Sequence, residues 1–171
     1  MRFQAAEPSV GSVSGEGWPV VRYSDDDQVA QLDELLCEYT EAIRELTYHV
    51  LAHADARLAG ATRMVYSNWN ATVVGYSADG RSRHSVCSVA VYPRWVNLCF
   101  FVGSQLPDPH GLLKGTGSTV RTVRIAERRD LDHRVNELLD AAIEIWPWTF
   151  DPDRPTTTLI VSVTDKHRPR S

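Results

Sequence analysis

Four short apolar runs, residues 63–67, 72–77, 84–91 and 96–102, follow one another with only turn-forming residues between them. The first two are joined through Asn68-Trp69-Asn70, Ala78-Asp79-Gly80 has the composition of a hairpin turn, and Tyr92-Pro93-Arg94 interrupts the chain before the fourth. Strands that succeed each other this closely must pair antiparallel, because a parallel neighbour needs a crossover of about a dozen residues or more. The block therefore dictates an antiparallel meander, and the rest of the chain has to cover it.

The flanking segments have the period of helices. Ser24 can cap a helix whose first turn carries Asp25, Asp26 and Asp27, where the helix dipole favours negative charge. From residue 25 to about 57 the apolar positions Val29, Leu32, Leu36, Tyr39, Ile43, Leu46 and Val50 form one stripe, with Leu35 and Ala42 on its flank. Gly60 is a natural stop, and the length of the segment predicts a break near Thr47. After the meander, residues 103–117 are irregular, and a connection of that length in a compact domain is often functional. Residues 120–126 read as a strand. Asp130 is placed to cap a helix with the stripe Leu131, Val135, Leu138, Leu139, Ala142 and Trp146, ended by Pro147, and residues 156–163 read as a last strand. The expectation is an α+β domain over residues 24–164, with its core at 28–146. It has a single antiparallel sheet packed by an N-terminal helical region and a C-terminal helix. A flexible leader, 1–23, and a basic tail, 165–171, flank it.

With 171 residues, 43% of them hydrophobic, the chain buries enough surface to fold without a disulfide or metal staple. A formal charge of −4 argues against a dedicated nucleic-acid binder. Three cysteines with no CxxC pair read as reduced thiols, no run approaches the ~20 apolar residues of a membrane span, and the first residues lack a secretory apolar core. A cytoplasmic protein is expected.

The most distinctive stretch is LPDPHGLLKGTGSTVRTVRI, residues 106–125: an acidic-proline turn, a Leu-Leu-x-Gly-Thr-Gly core, then an arginine-bearing strand. Together with the preceding VCSVAVYPRWVNLCFFVGSQL, and across about residues 28 to 146, it resembles the YdhG-like family of small bacterial domains of unknown function. The resemblance implies a helix, an antiparallel meander, a glycine loop, a strand and a helix in that order. Some family members have been proposed as frataxin-like iron chaperones, so it also implies iron handling as one role. Two places depart from the family's pattern. Ser118 stands where a lysine usually follows the second glycine, and Asn68-Trp69-Asn70-Ala71 stands where a Gly-Met-Pro-type turn is common.

Three candidate sites follow from the residues. In the loop, Lys114, Gly115, Thr116, Gly117, Arg121 and Arg124 could cradle an anion between backbone N–H groups and positive side chains. The spacing is not that of a nucleotide P-loop, since Leu112 and Ser118 occupy the first-glycine and lysine places, and the glycines lead into a strand rather than a helix. The alternative is a structural turn before an edge strand. On the first helix, Asp27, Glu34, Glu38, Glu41 and Glu45 share a polar side and could hold Fe²⁺ or another divalent metal weakly, with His49 and then His53 extending the ridge; the alternative is a solvated face. Tyr66, Trp69 and Trp95 are candidates for an aromatic ligand pocket, or for core.

Nucleophilic catalysis finds little support: there is no GxSxG elbow, and only Cys37 lies on a polar side. The leading expectation is a non-enzymatic binding protein that handles a metal ion on the acidic ridge, with a protein partner as recipient. The competing class is a small-ligand or anion-binding module built on the Gly-Thr-Gly loop and the sheet aromatics. An enzyme using that pocket is third, and neither nucleic acid nor membrane is expected as a partner.

Overall fold

The computed structural model describes residues 25–164; the leader and the basic tail lie outside them. Helix α1 (Asp25–Leu36) and α2 (Glu41–Arg57) precede β1 (Thr62–Ser67), β2 (Thr72–Ser77), β3 (Ser85–Val91), β4 (Val96–Phe100) and β5 (Arg121–Ile125); α3 (His133–Ile145) and β6 (Thr157–Val163) are the last elements among the described residues. The sheet has six strands in the order β5-β4-β3-β2-β1-β6. The meander expected for β1 to β4 is present and β5 extends it antiparallel. The last strand differs: β6 returns to the far edge and pairs with β1 in parallel, so the sheet is mostly antiparallel rather than wholly so. The physical reason is the intervening α3, which supplies the crossover that a parallel neighbour requires.

Strand alternation sorts the sheet into two faces. Val65, Val74, Tyr76, Cys87, Val89, Val91, Leu98, Phe100, Val123 and Ile125 share one side and merge with Leu36, Ile43, Leu46, Val50, Ala54, Leu139 and Ala142 of the helices into one core. The three helices therefore cover a single face: α1 packs against β6, α2 across β3 and β4, and α3 against β3.

The helical segment breaks at residues 37–40 rather than near Thr47. Tyr39 explains the shift. Its buried hydroxyl donates to the Val91 carbonyl at 3.0 Å and accepts the Thr72 N–H at 2.9 Å, which pins the turn between the helices to the sheet. Thr47 instead lies inside α2, buried, and its hydroxyl bonds back to the Ile43 carbonyl at 2.7 Å. Val29, counted in the apolar stripe, is on the exposed side of α1.

Other boundaries have local causes. Asn68 Oδ1 accepts from the N–H groups of Asn70 and Ala71, closing the β1–β2 turn. Gly60 stands beyond the end of α2 at φ 80°, and a side chain there would overlap the Asp151 carbonyl, so both backbone and space demand glycine. Asp130 does not cap α3. Its carboxylate accepts from Ala126 and Glu127 around the 3₁₀ turn at Arg128–Asp130, and Asp132 is the N-cap of α3, accepting from the Arg134 N–H at 2.9 Å. Among the described residues no helix is long and apolar enough to cross a membrane.

Candidate functional site

The irregular segment after β4 is built from its own side chains. Asp108 accepts the N–H of Leu112 at 2.8 Å on one carboxylate oxygen and that of Leu113 at 2.9 Å on the other. Leu112 and Leu113, partly buried, pack against the core, so the turn is held from both sides. Lys114 exchanges backbone hydrogen bonds with Thr122, both 2.8 Å, laying the chain along the outer edge of β5. Gly111 and Gly115 take left-handed backbone conformations, φ 64° and φ 120°. Residues 114–120 are all exposed.

The three loop cations have different attachments. Lys114 Nζ donates to the Gly111 carbonyl at 2.9 Å, and Arg121 donates from one nitrogen to the carbonyls of Gly117 and Val120 at 2.5 and 2.8 Å. Arg124 lies across the Trp95 ring, 3.8 Å from its centroid, and Tyr92 stacks on the same indole at 5.5 Å. This cation–π contact is worth about 0.5–1 kcal/mol at an exposed position and fixes the guanidinium in orientation. None of the three forms an ion pair with a carboxylate among the described residues, and neither do Arg44, Arg83, Arg94, Arg128 and Arg154, whereas Arg57, Arg63, Arg81, Arg129 and Arg134 do. The N–H groups of Gly115, Thr116, Gly117 and Ser118 have no backbone acceptor among the described residues.

The aromatic candidates do not converge. Tyr66 and Trp95 belong to β1 and to the β3–β4 connection, separated by about 14 Å across three strand spacings. Trp69 is the tip of the β1–β2 turn and is 63% exposed. Of the three, Trp95 alone meets a candidate site residue, Arg124 on β5.

The acidic ridge is divided by the break in the helical segment: Glu34 is on α1, Glu38 in the turn, and Glu41 and Glu45 on α2, all exposed. His49 Nδ1 is 3.0 Å from an Arg128 nitrogen, which sets a cation against the ring. His53 is half-buried, with Nε2 out of solvent and without a hydrogen-bond partner. Among the described residues, three ligand atoms of the metal-binding type come within 4.8 Å of one another at a different place, His110, His133 and Glu137. The sequence carried half of that signal. His133 and Glu137 stand one helical turn apart, but the partner that completes the set is 23 residues away along the chain, in the loop.

The thiols are divided by burial. Cys87 is fully buried and Cys99 partly so, and burial pushes both thiols up, away from thiolate chemistry, while Cys37 is exposed. His84 is buried and held by Asp79 at 2.8 Å on Nδ1, with Arg83 at 3.2 Å on Nε2 and Trp148 stacked at 4.0 Å, so both ring nitrogens have partners. No protein-family model, no curated protein and no solved structure matches the chain.

Proposed function

We propose that this is a non-enzymatic cytosolic binding protein whose ligand is a small molecule bearing a phosphate or carboxylate group, taken up at the glycine loop and the adjoining strand β5. The observation that carries the reading is the charge arrangement. Lys114 and Arg124, on the same side of the sheet by their register at β5, stand without a carboxylate partner among the described residues in a chain whose net charge is −4, while Arg121, on the core-facing side of β5, is held by the Gly117 and Val120 carbonyls. The exposed N–H groups at residues 115–118 supply the neutral half of an anion cradle. The Trp95–Arg124 stack adds a flat, oriented surface for the rest of the ligand. The YdhG-like resemblance of this stretch stands beside the reading and names no reaction.

The test is calorimetric titration of the full chain with inorganic phosphate and a panel of phosphate monoesters and carboxylates. A hydrogen bond to a charged group contributes about 1.5–3 kcal/mol, so Lys114→Gln and Arg124→Gln should each weaken binding about tenfold or more. Full affinity in both variants would make the loop a structural turn only.

A further inference from the structure

We propose that His110, His133 and Glu137 form a binding site for a divalent transition metal of the zinc class, joining the loop to the first turn of α3. This goes beyond the anion reading and uses none of its side chains.

Each part of the site is positioned separately. His133 opens α3 and Glu137 follows it at i+4, so the two project from one face of the helix. The Asp132 cap fixes that turn: one carboxylate oxygen accepts the Arg134 N–H at 2.9 Å and the other the Arg134 guanidinium at 2.8 Å. His110 comes from the loop, immediately before Gly111, in the turn that Asp108 closes and that Leu112 and Leu113 anchor. The result sets His110 Nε2 3.2 Å from Glu137 Oε2, with the two imidazole rings edge to face at 6.1 Å.

The donor set then selects the ligand. One oxygen and two nitrogens within 4.8 Å of one another suit a borderline-soft cation. Bonds of about 2.0–2.2 Å in a tetrahedron place ligand atoms about 3.4 Å apart, and the His110 Nε2–Glu137 Oε2 distance of 3.2 Å is already close to that spacing. Glu137 forms no ion pair with Lys or Arg among the described residues, and its carboxylate meets His110 instead. Three protein ligands leave a position for water or for a donor from another molecule.

The experiment uses tag-free full chain stripped with a chelator, titrated calorimetrically with Zn²⁺ and followed in parallel by the visible absorption of Co²⁺. The expected result is one equivalent of Zn²⁺, with affinity lowered at least ~10-fold by His110→Ala, His133→Ala or Glu137→Gln, since even outer-shell changes cost that much at metal sites. His133→Gln guards against a loss of helix start, and melting curves without metal should superpose across the set. His49→Ala and the triple variant Glu38→Gln, Glu41→Gln, Glu45→Gln should bind as the parent does. No stoichiometric Zn²⁺ uptake by the parent would overturn the proposal. So would uptake that survives the His110→Ala, His133→Ala double variant, or a response lost in the ridge variant instead.

Discussion

The Tyr76 hydroxyl donates to Asp55 Oδ1 at 3.0 Å, and the same carboxylate oxygen receives Arg63 Nε at 2.9 Å. Tyr76 is fully buried on β2, Arg63 is beside it on β1, and Asp55 descends from α2, so three side chains clamp the helix to the sheet. Burial first, and the Asp55 charge second, hold the Tyr76 phenol well above its ordinary range. Asp55→Ala strands a half-buried guanidinium and leaves the buried hydroxyl only the Leu51 carbonyl, at 3.2 Å, and the expected cost is about 3–5 kcal/mol. Tyr76→Phe removes one donor and should cost about 1–2 kcal/mol. Urea unfolding measures both; an Asp55→Ala variant within 1 kcal/mol of the parent (roughly the worth of a surface pair) would show that the clamp is superficial.

Acid should loosen the start of α3. The Arg134 side chain, chief among the causes, holds the Asp132 carboxyl down at about 2, below its ordinary 3.8. A depressed carboxyl contributes stability that is complete above the unfolded value and is lost as pH falls through the folded one, so the window runs from 3.8 to about 2. Asp132→Asn keeps a capping oxygen but does not titrate. The melting difference between parent and variant should therefore shrink across that window. A difference that stays constant from pH 5 to 2 would contradict the assignment.

At Gly60 the chain has no room for a side chain. Gly60→Ala forces a left-handed φ of 80° on alanine and drives its methyl into the Asp151 carbonyl. The expected loss is about 2 kcal/mol or more, from strain and displacement of the segment before β6. Chemical denaturation at equilibrium gives the value, and parental stability would mean that residues 151–154 move aside freely.

Much of this architecture was legible because local rules and global packing agree. The meander was readable from turn residues such as Asn68 and Gly80, and α3 from its stripe of Val135, Leu138, Leu139 and Ala142. The break at residues 37–40 was not, because it depends on where the Tyr39 hydroxyl finds partners on β2 and β3, 33 and 52 residues away. The parallel placement of β6 was hidden for a similar reason: its apolar pattern does not say which strand it joins. In the candidate site, glycine and basic residues could be read directly. What could not be read was that Arg124 lies on Trp95, or that the loop carries His110 to α3, since both are contacts between distant segments.

Anion recognition by the loop predicts a defined footprint. Titrating inorganic phosphate into the ¹⁵N-labelled full chain and following amide shifts tests it most directly. The prediction is a saturable shift confined to the N–H groups of Gly115, Thr116, Gly117 and Ser118, with the side-chain signals of Arg124 and Trp95, and abolished by Lys114→Gln combined with Arg124→Gln. Saturable shifts centred elsewhere, or a loop that stays unperturbed while phosphate binds, would contradict it.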